Sequence, residues 1–160
     1  MNAKSWSVSQ LTAMHELIAL DANVVIYLLE DVEPGASRAA AIVDAIESGA
    51  VRGSMSTVAQ TEILVGPARA ADPIVFELAA QELRDLRIAK NPLTTRIAED
   101  AAWVRGQTGL RLPDAVHVAT ARASGATAFI TNDRRIRSRV GLDVYYLDDL
   151  ATDEPSEPVA

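Results

Sequence analysis

Four acidic side chains stand in contexts that invite chemistry: Asp21, Glu62, Asp114 and Asp133. Asp21 closes the apolar run Leu17-Ile-Ala-Leu20, and Asp133 follows the compact run Ala126–Ile130, so each falls where a buried strand would end. Asp114 comes directly after Leu112-Pro113, where a helix would start. Glu62 differs, because it lies inside a helical stretch with Val58 at i−4 and Val65 at i+3. A carboxylate on such a face is costly unless it is paired, hydrogen-bonded or metal-bound. Taken singly, the aspartates have ordinary explanations as helix caps or dipole partners. Gathered on one side of a single sheet, the four ask for a common cause. Grouped carboxylates suit hard divalent cations such as Mg²⁺ or Mn²⁺. Four negative charges near one point need such a cation to coexist at neutral pH. A carboxylate-bound pair of these ions hydrolyses phosphodiesters, one activating a water and the other steadying the leaving oxygen.

The elements that must position these acids follow from hydrophobic spacing and turn residues. Residues 17–20 read as a strand, and a helix follows Asp21 until Glu33-Pro34-Gly35. Ala39, Ile42, Val43 and Ile46 predict an amphipathic helix over 36–48. A short strand is expected over 51–55. Thr57-Val-Ala-Gln60 has capping-box spacing, so a helix should start there and stop at Gly66-Pro67. A helix over 73–85, a strand over 86–89 and a helix over 94–108 come next. The helix after Pro113 should end at Gly125, followed by a strand over 126–130, a short basic helix over 134–139 and a last strand over 144–147. Strands alternating with helices predict an α/β fold, a parallel sheet covered on both faces, with ligands outside the carboxyl ends of its strands.

The organised sequence spans 17–150 without a linker. Residues 1–16 read as a polar, patternless N-terminal extension in which Met14 could serve as an alternative start. Residues 151–160, ATDEPSEPVA, read as an acidic, disordered tail. In 160 residues there is no cysteine, which excludes a disulfide scaffold, thiolate zinc and a cysteine nucleophile. Phosphate-loop, dinucleotide-binding and nucleophile-elbow motifs are missing too. No signal-like or spanning apolar run is visible, so a cytoplasmic location is expected. A net charge of −7 argues at first against nucleic acid. Six of the 22 acids, however, lie beyond Arg139. Residues 1–142 hold 16 acids against 15 bases, and without the four grouped acids 12 against 15. The remainder is mildly basic, so recognition of a folded RNA would rest on local contacts more than on long-range steering.

Four blocks carry a resemblance: Ala19-Leu-Asp-Ala-Asn-Val-Val-Ile-Tyr27, Thr57-Val-Ala-Gln-Thr-Glu-Ile-Leu64, Leu112-Pro-Asp-Ala-Val-His-Val-Ala-Thr-Ala121 and Phe129-Ile-Thr-Asn-Asp133. In this order, and over roughly residues 17–147, the chain resembles PIN-domain nucleases, most nearly the VapC-type toxins of type II toxin–antitoxin pairs. The resemblance implies a three-layer α/β/α domain with about four or five parallel strands. It implies an Mg²⁺- or Mn²⁺-dependent endoribonuclease. Asp21, Glu62, Asp114 and Asp133 match the family's acidic, metal-holding positions, Thr131 a supporting hydroxyl, and Asn23 the polar position two after the first acid. It further implies a homodimer and a small antitoxin covering the acids, with arginines that answer them. His117 departs from the pattern, standing where the family usually has an aliphatic residue. Two other readings are open: a non-catalytic PIN scaffold that binds RNA or protein, and a phospho-acceptor receiver domain. The second would need a lysine near the acids, and the only lysines are Lys4 and Lys90.

Other residues carry weaker signals. Arg134, Arg135, Arg137 and Arg139 crowd the segment after Asp133, either as a solvated helix face or as phosphate contacts. His117 shares a helix face with Asp114 and reads as a partly buried, hydrogen-bonded histidine before a metal ligand or general acid. His15 is expected to be exposed, Trp6 to lie in an untethered stretch, and Trp103 to be core or interface. Glu99 and Asp100 read as a solvated face.

Overall fold

A computed structural model describes residues 5–152 of the chain. β1 (Leu17–Leu20) lies at the centre of a five-stranded, wholly parallel sheet of order β3-β2-β1-β4-β5. Its other strands are β2 (Arg52–Ser56), β3 (Ile88–Asn91), β4 (Ala128–Thr131) and β5 (Asp143–Tyr146). Period-two alternation sends Ile18 and Leu20 of β1 into one core and Ala19 into the other, and β4 divides Ala128 and Ile130 from Phe129 in the same way. The first core is roofed by α2 (Ala22–Glu30), α3 (Gly35–Glu47) and α4 (Thr57–Arg69); the second by α6 (Thr95–Thr108) and α7 (Leu112–Ser124). α5 (Pro73–Asp85) packs beside α4. The result is the three-layer α/β/α arrangement expected. Gly53 lets α3 settle on β2, since a Cβ there would lie 2.5 Å from Ile46 Cδ1. Among the described residues no helix is long and apolar enough to cross a membrane.

Several expectations are corrected. The stretch before residue 17 is neither patternless nor loose. It forms α1 (Val8–Met14), begun by a reciprocal Ser7–Gln10 capping box and anchored by fully buried Leu11. Trp6 is buried, its ring edge-on to Tyr145 at 5.2 Å and its Nε1 donating to the Tyr146 carbonyl at 2.9 Å. Backbone bonds join Trp6 to Asp149 and Ala151. His15 is buried rather than exposed: Nδ1 lies 2.7 Å from Thr127 Oγ1 and Nε2 2.9 Å from the Tyr145 hydroxyl. Trp103, by contrast, is 66% exposed on α6 and so is not core.

α4 is capped by Ser56, one residue before the expected Thr57, and it passes Pro67 before ending at Arg69. β3 starts two residues later than its spacing suggests. No α-helix forms over 134–139. The Asp133 side chain accepts the Arg135 N–H, its carbonyl accepts Ile136 N–H, and fully buried Ile136 pins this single turn; a short 3₁₀ turn follows over Ser138–Val140. The proposed disordered tail falls largely on residues 153–160, outside the described residues.

Candidate active site

The sheet register levels three strand ends. Leu20 pairs with Ile130 and Ala19 with Ser54, so Asp21, Thr131 and Ser56 come side by side at the carboxyl edge of β1, β4 and β2. Here the sheet's connections diverge to opposite sides of the first strand, the place where an open α/β sheet leaves a crevice.

Asp21 is 4% exposed and caps α2, with Oδ1 accepting the Ala22 N–H at 2.7 Å. Its Oδ2 accepts the Thr131 hydroxyl at 2.7 Å and, more weakly, Asn23 Nδ2 at 3.4 Å. The ordinary capping role and the site role therefore coincide in one side chain. Thr131 Oγ1 in turn accepts the Asp133 N–H at 3.0 Å. Asn23 Oδ1 accepts the Asn132 N–H, so Asn23 and Thr131 together hold the β4 turn against α2. Burial pushes the Asp21 carboxyl above its usual range; His117 and the Thr131 hydroxyl oppose this, while the charge of Asp114 adds to it.

Glu62 comes from α4. The buried seam of that helix is Ala59 and Ile63, and Glu62 sits on its shoulder with a 38% exposed side chain, not among the apolar residues as its spacing suggests. Its Oε2 lies 2.8 Å from Nε2 of His117, which is 2% exposed one turn beyond Asp114 on α7. The other ring nitrogen, Nδ1, is 2.6 Å from Ser56 Oγ. Asp21, Glu62 and His117 offer ligand atoms that all lie within 4.8 Å of one another.

Asp114, 5% exposed in the first turn of α7, accepts from Arg111 Nε at 3.2 Å. Arg111 also reaches to 4.0 Å from Asp133, so it bridges these two acids. Arg135 grips both oxygens of Asp133 through Nε at 2.9 Å and Nη2 at 2.8 Å, and this holds the Asp133 carboxyl below its usual range. Arg134 makes a two-pronged pair with Asp149 and lies over the Tyr146 ring at 4.2 Å, which engages it beside the acids rather than on them. Arg137 lines a neighbouring cleft with Arg135, Gln107 and Thr108. Asp100 pairs with Arg122. Lys90 Nζ donates to the Leu86 carbonyl.

Contacts run from Glu62 through His117 to Asp21, from Asp21 through Thr131 to the Asp133 backbone N–H, and from the Asp133 carboxylate through Arg111 to Asp114; among the described residues only Asp21 and Glu62 of the four acids, with His117, bring ligand atoms within 4.8 Å of one another. His117 is the buried, hydrogen-bonded histidine that the sequence predicts, with its i+3 spacing from Asp114 as the signal. Two participants escape the acid-by-acid reading. Arg111, three residues before Asp114, carries the same signal on the other side. Ser56 is hidden behind the more conspicuous Thr57.

Residues 18–141 match the PIN domain family, and the chain belongs to it. A comparison with curated protein sequences gives no match. Among solved structures, the chain is similar to a toxin–antitoxin complex from Klebsiella pneumoniae, with a TM-score of 0.58, 22% identity, and 72% of this chain and 86% of that chain covered. It is similar to VapBC2 from Rickettsia felis, a complex bound to a promoter DNA fragment, with a TM-score of 0.64, 15% identity, and 81% and 98% covered. It is also similar to FitAcB from Neisseria gonorrhoeae, with a TM-score of 0.61, 20% identity, and 81% and 97% covered. At these identities the likeness is one of fold. PIN domains are in general metal-dependent nucleases, and membership leaves the receiver-domain reading without support.

Proposed function

We propose that this chain is an Mg²⁺- or Mn²⁺-dependent endoribonuclease and the toxin of a toxin–antitoxin pair. The observation that carries the reading is the convergence of buried Asp21 and Asp114 with Glu62 and Asp133 at the carboxyl edge of a PIN-domain sheet. Asp21, Glu62, Asp114 and Asp133 would hold the cation. The fit rests on an oxygen-rich donor set and on the raised carboxyl of Asp21 beside the charge of Asp114, a surplus of negative charge that a hard divalent ion answers. The chemistry such an ion supplies when bound is a lowered pKa for water and screening of phosphate charge.

The chain's own side chains do the rest. Ala22 N–H and the Thr131 hydroxyl fix the two oxygens of Asp21. Arg111, Arg135 and Arg137 meet phosphate oxygens, with Arg111 and Arg135 exchanging carboxylate for phosphate as RNA arrives. Water attacks in line, leaving 5′-phosphate and 3′-hydroxyl ends. A homodimer and a small antitoxin carrying arginines toward the acids complete the proposal, as does a cytoplasmic location. The toxin–antitoxin neighbours and the PIN fold support it.

The test is RNA cleavage with Mg²⁺ or Mn²⁺, with and without chelator, for wild type and Asp21→Asn. Chelator should abolish cleavage, and the variant should lose about a hundredfold or more. Undiminished cleavage by Asp21→Asn ends the proposal. Co-expression with a short DNA-binding protein encoded beside this chain should silence the activity.

A further inference from the structure

His117 is the side chain around the acids with no task in the proposed chemistry, yet both its ring nitrogens are engaged at 2.6 and 2.8 Å in a buried position. Its hydrogen-bond partners determine how it is used. Ser56 Oγ already accepts the Ala59 N–H at 2.9 Å as the cap of α4. Glu62, as a carboxylate, can only accept, so His117 Nε2 carries a proton toward it. A neutral ring accepts the single Ser56 hydroxyl hydrogen at Nδ1, a protonated ring donates from Nδ1 to Ser56 Oγ, and Nε2 donates to Glu62 in both. Every group in the chain Ser56–His117–Glu62 is thereby matched, and among the described residues no buried side-chain polar atom lacks a partner.

The matching matters because Glu62 is long, flexible and partly exposed. Without the imidazole its carboxylate would be free to turn to solvent. With it, one oxygen is tied at 2.8 Å and the imidazole stands 4.0 Å from Asp21 Oδ1, between the two acids. We infer that His117 is a positioning residue, in which the Ser56–His117–Glu62 relay holds the Glu62 carboxylate facing Asp21 so that the divalent-cation site is preformed. This rests on the metal-site reading above. It departs from direct ligation, because a nitrogen donating to Glu62 has no lone pair for a metal.

The experiment compares Mn²⁺ affinity by calorimetry in wild type, His117→Gln and His117→Asn, with thermal unfolding of each metal-free protein alongside. The glutamine amide reaches about as far as Nε2 and can donate to Glu62. The asparagine amide reaches only as far as Nδ1 and leaves Glu62 without a donor. His117→Asn should bind Mn²⁺ about 10–100-fold more weakly, and His117→Gln should stay within about threefold of wild type. Equal losses in the two variants, or no loss in His117→Asn, would overturn the relay. A directly bound imidazole nitrogen in the electron spin-echo spectrum of the Mn²⁺-loaded wild type would overturn it too. Wild-type protein that takes up no Mn²⁺ overturns the metal-site reading and the relay with it, so the two failures are told apart by whether wild type or only the variants misbehave.

Discussion

At the residue scale, Asp21 bears opposing demands. As the cap of α2 it is satisfied by Ala22 N–H, and Thr131 completes its second oxygen. Yet it is almost wholly buried near Asp114, and its carboxyl is held above the ordinary range by burial. A raised carboxyl pKa means that the folded state keeps its proton after the unfolded state has released it. Stability therefore falls as pH rises from the ordinary carboxylate range through the raised folded value, and stays lower above it. Asp21→Asn keeps a capping oxygen and removes the charge. The metal-free variant should match wild type at low pH and exceed it at neutral pH. The expected gain is about 1 kcal/mol, or roughly 2–4 °C. Thermal melts at both pH values in chelator check this, and a variant less stable at neutral pH would refute it. Asp133 has the reverse sign. Arg135 holds its carboxyl down, so its contribution is present above the ordinary carboxylate range and is lost as pH falls through the lowered value.

At the element scale, the site is made by caps and register. Ser56 caps α4, Asp21 caps α2, and both stand level with Thr131 because β2, β1 and β4 are parallel and in register there. Asp21 was readable in the sequence because it directly ends an apolar run, Asp133 because it stands in the turn Thr131-Asn-Asp133 that follows one, and Asp114 because Pro113 marks a helix start. Ser56 with His117 was not readable: 61 residues separate them, and only the sheet register and the approach of α7 to β2 bring them together. The basic segment after Asp133 has a helical look, and the Asp133 side chain does cap one turn through the Arg135 N–H, but the chain turns inward at fully buried Ile136 and goes no further as an α-helix. The N-terminal segment misled for a related reason: its apolar contacts, Trp6 on Tyr145 and Leu11 in the core, are made with elements far along the chain. That contact is testable. Trp6→Ala should cost about 3–5 kcal/mol in urea unfolding. Trp103→Ala, at an exposed position, should change stability by no more than about 0.5 kcal/mol. A chain beginning at Met14 would lack Trp6 and Leu11 and should be destabilised at least as much as Trp6→Ala. Equal effects at Trp6 and Trp103 would contradict the anchoring role.

At the scale of the whole molecule, three arginines beside the acids are taken up in short-range ion pairs. Arg134 is committed to Asp149, Arg135 to Asp133, and Arg111 to Asp114 and Asp133. With a net charge of −7, long-range attraction to a polyanion is weak, so under the proposed function RNA contact comes from the few cations on the acid rim. Counterion release makes this measurable. A single strand that meets Z protein cations gives a salt slope of about −0.7Z. If Arg111, Arg135 and Arg137 are the rim, Z is about three and the slope of log affinity against log salt is about −2. The measurement uses Asp21→Asn in chelator, so that the proposed cleavage does not consume the RNA, between about 50 and 200 mM salt. Arg137→Ala should make the slope shallower by about 0.7. Arg134→Ala should leave it unchanged, because Asp149 already takes that guanidinium at 2.8 and 2.9 Å over the Tyr146 ring. A slope steeper than about −4 would mean that RNA is held by a wider surface than this rim. A change on removing Arg134 would mean that the Asp149 pair opens to let it reach the substrate.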